Sequence, residues 1–127
     1  MKKIKTSGSP TEDSKEYILK LLSGESIKGI THMAIGDGTP TTNKLGSEKG
    51  RRSILEVTGT GNEREFEALF EADYPATDVS ISEVGLIANA SHEVGGSGTY
   101  IAVTTLASPT IKRAGVDAVY ITYKLKY

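Results

Sequence analysis

The sequence has 127 residues, no cysteine and a formal net charge of −1. This length predicts one domain over residues 1–127. The missing cysteines exclude disulfides, thiolate nucleophiles and cysteine-ligated metals. The balanced charge supplies no field that would attract a polyanion, and no apolar run reaches the roughly 18 residues of a membrane-spanning helix. We therefore expect neither nucleic acid nor a membrane as a partner.

The N-terminal quarter predicts an arm followed by a helix. Met1–Gly8 is short, basic and polar, which is typical of a mobile arm. Residues 9–24 predict a helix, because Ser9 can cap it, Pro10 suits the first helical position and Glu12 can complete a capping box. This helix is short enough to be marginal alone, so we expect its apolar side to contact a sheet or a neighbouring subunit. The residues of that side are Tyr17, Ile18, Leu21 and Leu22.

The remaining residues, 28–127, predict a β-rich body. Gly61-Asn62 lies between two alternating runs and indicates a hairpin. The six expected strands cover residues 28–36, 51–60, 63–72, 79–87, 100–106 and 117–127. Their alternation is typical of an antiparallel sheet with one buried face. The sequence therefore predicts a mainly β, antiparallel sandwich-like domain of about six strands with one N-terminal helix.

Two irregular regions interrupt this pattern. The strand over 79–87 changes phase near Glu83, which predicts a bulge, and Gly85 beside it suggests a close backbone approach. Residues 41–50 form a polar connection in which a single helical turn over 43–49 would fit.

No group of residues indicates a catalytic, cofactor-binding or metal site. His32 lies in a predicted strand and His92 in a predicted loop, with no second histidine at ligand spacing near either, so both are expected to be structural. A row of glutamates along one strand is expected to be a solvated face or a contact for a basic partner. Its members are Glu63, Glu65, Glu67 and Glu71.

Two polar features favour protein contacts. Lys49, Arg51 and Arg52 form a basic cluster that could pair with the glutamate row, either inside the chain or between subunits. The chain also has six tyrosines and two phenylalanines. Tyrosine suits interfaces because it buries a ring and keeps a solvated hydroxyl, but it is equally a good strand residue.

Four segments, in order, resemble a structural domain of phage tail-fibre, tail-collar and baseplate-associated proteins and of related contractile particles. They are ITHMAIGDGT (Ile30–Thr39), ISEVGLIANA (Ile81–Ala90), GTYIAVTTLASPTIKRAG (Gly98–Gly115) and AVYITYKLKY (Ala118–Tyr127). The resemblance implies a β-sandwich-like building block without enzymatic activity. The matching positions, whose implied role is architectural, are Met33, Gly36, Asp37, Gly38, Glu83, Gly85 and Leu86.

From this resemblance we expect a virion structural protein of the tail or baseplate, assembled in the host cytoplasm and present in multiple copies or as a homo-oligomer. Other virion proteins are its expected partners. Since the sequence ends at Tyr127 without a shaft or receptor-binding tip, a short accessory or fibre-attachment role is favoured. The expected contacts are the N-terminal arm, the terminal strand and an interface of Tyr17, Ile18, Leu21, Leu22, Lys49, Arg51 and Arg52.

Three alternatives remain open from the sequence. A capsid decoration (cement) protein of the phage head is the nearest, because small β-domains with an arm also suit a shell lattice. A carbohydrate-binding module would use exposed tyrosines to stack on sugars. A hydrolase using the glutamate row is the most distant.

Overall fold

Two four-stranded sheets pack face to face in this computed structural model, which describes every residue from Met1 to Tyr127. Sheet A has the strand order β1-β8-β5-β4, and sheet B has the order β3-β2-β6-β7. The elements are β1 (Lys2–Gly8), α1 (Glu12–Leu22), β2 (Ile30–Gly36), β3 (Glu48–Ser53), β4 (Glu56–Thr58), β5 (Glu63–Phe70), β6 (Val79–Ala88), β7 (Thr99–Lys112) and β8 (Val119–Lys126).

The predicted fold class is confirmed, since half of the residues lie in strands and only 9% in the single helix. The strand number is eight rather than about six. All strand pairs are antiparallel except β1 with β8, which is parallel. No helix of the structure combines the length and apolar character that crossing a bilayer requires.

The prediction of a mobile arm over Met1–Gly8 is wrong, because these residues form β1 along the edge of sheet A. Ile4 pairs with Ile121 and is 8% exposed, so one apolar side chain of the arm enters the core. The Nζ atom of Lys2 lies 3.3 Å from an Asp117 carboxylate oxygen. One isoleucine among lysines is too weak a pattern to predict a strand. The strand forms because the edge of β8 offers backbone hydrogen-bond partners to these residues.

The helix begins later than predicted. Thr11, not Ser9, is the N-cap, and its hydroxyl oxygen accepts from the Ser14 backbone N–H at 3.1 Å. Pro10 instead forms a bridge to Ala102, and the Thr11 N–H donates to the Ile101 carbonyl at 2.8 Å. Pro10 and Thr11 are therefore held against β7, and the helix starts after them.

The predicted strand over 51–60 is two strands in different sheets. β3 pairs with β2 in sheet B, whereas β4 pairs with β5 in sheet A. The change of sheet falls between two adjacent residues: the Ile54 N–H donates to Thr31 at 3.0 Å, and the Leu55 N–H donates to Glu67 at 2.8 Å. The hairpin at Gly61-Asn62 is confirmed, but only β4 and β5 form it.

Two further boundaries differ from the prediction. Residues 43–49 contain no helical turn, and from Glu48 onward they already belong to β3. β7 extends to Lys112, so the turn expected after Pro109 starts later. The predicted bulge near Glu83 is confirmed, because the β6–β7 pairing jumps from Ile81↔Thr110 to Glu83↔Thr105.

The main core lies between the sheets and follows the predicted alternation. In β5, Phe66, Ala68 and Phe70 are buried, and their pairing partners in β8 are Tyr123, Ile121 and Val119. In β2 and β6 the core side chains include Met33, Ile35, Val84 and Leu86. The opposite face of sheet B is also covered, by the loops over residues 37–47 and 91–98.

Tyr123 supplies a testable consequence of this packing. Its side chain is fully buried, and its hydroxyl has no hydrogen-bond partner. Because an unpaired buried hydroxyl costs free energy, Tyr123→Phe is expected to raise the free energy of unfolding by about 1 kcal/mol. Urea unfolding measures this value.

Tyr100→Phe is the matched control, since the Tyr100 hydroxyl donates to Glu48 at 2.7 Å. The free energy of unfolding of this second variant should fall by about 1–3 kcal/mol, because Glu48 then loses a hydrogen-bond donor. Equal destabilisation of both variants would contradict the assignment of Tyr123 as unpaired.

Candidate functional site

Five of the seven residues matched by the resemblance lie on the outer face of sheet B or in a loop that covers it, whereas Met33 and Leu86 lie in the main core. In β6, Glu83, Gly85 and Ile87 alternate with the core residues Val84 and Leu86, so they point away from the main core. Two loops cover this face: the GDG loop (residues 37–47) and the glycine-rich loop (residues 91–98). Leu45 and Ile87 belong to a small second core beneath these loops.

Glu83 ties the GDG loop to β6. Its side chain is fully buried, and its carboxylate accepts three backbone N–H groups. One oxygen accepts from Gly38 at 3.0 Å and from Ser47 at 2.8 Å, and the other accepts from Gly46 at 2.7 Å. The two ends of the loop are thus held by one side chain, which satisfies backbone donors that have no strand partner.

Neighbouring contacts make this attachment tight. The Ser82 hydroxyl donates to the Gly38 carbonyl at 2.7 Å. A Cβ atom at Gly36 would lie 2.3 Å from a Glu83 carboxylate oxygen, and one at Gly46 would lie 2.2 Å from the Thr39 carbonyl oxygen. Both positions therefore require glycine for close approach. Asp37 is exposed, and its N–H donates to Ser47 at 3.2 Å.

A second polar network joins the glycine-rich loop to β3. The Arg51 guanidinium binds both carboxylate oxygens of Glu48, at 2.6 and 2.7 Å, and is 2% exposed. Its remaining terminal nitrogen donates to the carbonyls of Ser91 and Ser97, at 3.2 and 3.0 Å. Burial, and then the hydrogen bond to Glu48, raise the pKa of Tyr100, whose hydroxyl completes the network.

The ion pair depends on a register shift that a strand pattern does not reveal. Residues three apart in a regular strand point to opposite faces. Here Glu48 pairs with Gly36 and Arg51 pairs with Ala34, because the register shifts between Ile35 and Gly36. Gly36 and Ala34 share one face of β2, so the two charged side chains meet.

The structure corrects the expectation that each histidine is isolated. His32 Nε2 lies 2.9 Å from His92 Nδ1, and the two rings meet edge to face. His32 Nδ1 lies 2.9 Å from the Thr31 hydroxyl. Burial, followed by the nearby His92 and Arg51, lowers the pKa of His32, and Glu48 opposes this shift. Nothing in the spacing of residues 32 and 92 could have indicated the contact.

A cleft of about 440 Å³ opens between the two loops and the start of α1. Its polar walls include Asp13, Asn43, Lys44, Glu48 and Arg51. The guanidinium and carboxylate of the ion pair already bind each other and the loop backbone. No three His, Asp or Glu side chains converge at metal-ligand distance anywhere in the chain. The hydrogen bonds of Glu83 and Arg51 hold the two loops on the sheet.

The predicted interface residues do not form one surface. Tyr17 is 7% exposed and lies in the core, where its hydroxyl donates to the Lys28 carbonyl. Ile18 is half-buried, whereas Leu21 and Leu22 are 40% and 79% exposed. Leu19, which the prediction omitted, is 66% exposed. The apolar side of the helix thus packs on its own domain and leaves three leucines at its C-terminal end.

The basic cluster is likewise divided. Arg51 is buried in the network above and cannot reach a partner. Arg52 binds Glu71 at 2.8 Å and stacks over the Tyr74 ring, so the pairing with the glutamate row is internal at this position. Lys49 is exposed.

Most of the tyrosines are buried or half-buried, and Tyr127 alone is more than half exposed, at 53%.

Comparison with protein-family models, curated proteins and solved structures found no match to this chain.

The first prediction from this site concerns Glu83→Gln. A glutamine places an NH2 group against at least one of the three backbone donors, so the variant should lose about 2–4 kcal/mol of unfolding free energy. Glu65→Gln, on the outer face of sheet A, is the control and should change it by less than about 0.5 kcal/mol. Similar denaturation midpoints for the two variants would contradict the role assigned to Glu83.

Gly85→Val is expected to lower the free energy of unfolding by about 2–4 kcal/mol. The reason is that a Cβ atom at this position would lie 2.7 Å from the Tyr100 ring. Thermal unfolding measures the loss. Gly29→Val provides the comparison, since no atom lies within 4 Å of a Cβ placed at Gly29. An unchanged melting temperature for the Gly85 variant would show that Tyr100 moves freely.

The His32–His92 pair predicts a pH dependence. In the unfolded chain His32 takes up a proton near pH 6.5. In the folded chain its pKa is lowered, so the imidazole stays neutral to a lower pH. The contribution of His32 to the free energy of unfolding is therefore fully present above pH 6.5. It falls as the pH drops below that value, by at most about 1.4 kcal/mol per pH unit. Urea unfolding between pH 5 and 8 should show this loss, with a smaller one for His32→Gln. An equal slope in both proteins would refute the assignment.

Proposed function

We propose that this chain is a non-enzymatic structural protein of a phage virion, acting in the tail or baseplate as a small accessory or fibre-attachment module. The single observation that supports this is the joining of Ile30–Thr39 and Ile81–Ala90 by the Glu83 carboxylate. These are two of the four segments that carry the resemblance. The two segments are thereby joined into one structural unit, which fits the architectural role that the resemblance implies.

A docking surface for another virion protein is the exposed end of α1. Leu19 and Leu22 are 66% and 79% exposed and lie three residues apart, so they share a side of the helix. Leu21, 40% exposed, lies on a different side of the helix from Leu19. Large apolar side chains left together in water favour burial against a partner. The partner is expected to offer an apolar groove that receives these leucines.

Fractionation of particles tests this function. Particles from producing cells are separated into purified tails and empty heads, and the chain is detected in each fraction with an antibody. The proposal expects the chain in the tail fraction. Its presence on empty heads would favour the capsid decoration protein instead, and its absence from both would overturn a virion role.

A variant pair tests the docking surface within the same experiment. Leu19→Glu with Leu22→Glu should remove the chain from tails without lowering its melting temperature, because these side chains contact little of their own domain. Lys15→Glu changes an exposed charge on the same helix and should remain in the tail fraction. Retention of the double variant would exclude this end of α1 as the contact.

A further inference from the structure

The outer face of sheet A has its positive and negative charges on opposite halves. These side chains alternate with core residues such as Ile4 and Tyr123, so they point to solvent. The β1–β8 half has Lys3, Lys5, Lys124 and Lys126, and the β5–β4 half has Glu56, Glu63, Glu65 and Glu67. We call these eight residues, with Tyr120 and Leu69 between them, the charged face.

Most of these charges are unpaired within the chain. Lys124 and Lys126 both lie near Glu63, at 3.4 and 3.7 Å. The other lysines and glutamates of the charged face form no ion pair within 4.0 Å. Glu56 and Glu67 are direct cross-strand partners, an arrangement of like charges that destabilises a sheet. The face therefore has unsatisfied charge of both signs.

The strand register makes this face complementary to itself. Consider a two-fold axis that runs parallel to the strands, between β8 and β5. It places β1 of one copy over β4 of the other, and β8 over β5. Row by row, Lys5 then meets Glu56, Lys124 meets Glu65, and Lys126 meets Glu63 of the second copy. The remaining row brings Tyr120 against Leu69.

We propose that the charged face is the contact between two copies of this chain in a two-fold symmetric dimer. A second copy is favoured over an unrelated partner because a polyanion would be repelled by the glutamate half and a polycation by the lysine half. A copy of the same face instead sets lysines against glutamates in three of its rows. An isologous contact of this kind closes at two copies.

The size of the face indicates a weak, salt-sensitive dimer. The four strands are 7, 8, 8 and 3 residues long. At a spacing of about 4.8 Å they present about 400 Å² per copy. The total of about 800 Å² is below that of most stable interfaces. Solvated ion pairs add little each and are screened by salt. We therefore expect association at high concentration, or where a particle brings copies together.

Sedimentation of the purified chain tests the dimer, without requiring any virion protein. At low salt, a concentration series should show a monomer–dimer equilibrium that about 0.5 M salt weakens roughly tenfold. A chain that stays monomeric throughout would overturn the proposal, as would open-ended oligomers, which indicate edge-to-edge pairing. Neither outcome bears on the particle fractionation, so the two proposals fail independently.

Charge reversal supplies the specific test. Lys5→Glu with Lys124→Glu makes the face acidic, and Glu56→Lys with Glu65→Lys makes it basic. Each variant alone should remain monomeric, whereas their equimolar mixture should associate more tightly than the original chain. Lys15→Glu with Lys44→Glu makes the same change in net charge away from the face, and should dimerise as the original does. Failure of the mixture to associate would overturn the proposal.

Cross-linking of the unaltered chain covers the case in which a variant does not fold. A carbodiimide joins lysine and carboxylate side chains in direct contact, and mixing copies with and without ¹⁵N distinguishes links between copies. A Lys5–Glu56 link is expected only between copies, because three strand spacings, about 14 Å, separate these residues within one chain. Dimers cross-linked at other surfaces alone would refute the contact.

Discussion

The attachment of the GDG loop to β6 depends on one buried carboxylate. Glu83 accepts the backbone N–H groups of Gly38, Gly46 and Ser47, which would otherwise be covered without partners. This interaction explains why two segments distant in sequence belong together. It also explains why Gly36 is a glycine, since the carboxylate occupies the space that a side chain would need.

The glycine-rich loop is attached to the same face by a different chemistry. Arg51 crosses from β3 to the carbonyls of Ser91 and Ser97, and Glu48 compensates its charge. The Tyr100 ring lies over Gly85 and links this network to β6. Buried charges need partners for their polar atoms, and each buried side-chain nitrogen and oxygen of both networks has at least one hydrogen bond. The outer face of sheet B is consequently covered by two loops that these networks hold in place.

The two contacts proposed with other molecules lie elsewhere on the domain. The leucines at the end of α1 are apolar and suit a hydrophobic groove, whereas the charged face of sheet A suits a copy of itself. The two surfaces differ in chemistry, so they would respond differently to salt. A module with one heterotypic and one homotypic contact can join copies of itself to a larger structure, which fits the proposed role in a tail or baseplate.

The sequence by itself determined the β-rich class, the alternation of β5 and the bulge at Glu83, because each follows from local periodicity. It also marked Glu83 and Gly85, but not their partners. Only the tertiary structure decided that residues 1–8 form a strand and that His32 meets His92. It likewise decided that Arg51 is buried. The physical reason is that these outcomes depend on groups brought together across the chain: the free edge of β8, the cover of two loops, and a register shift that turns Arg51 toward Glu48.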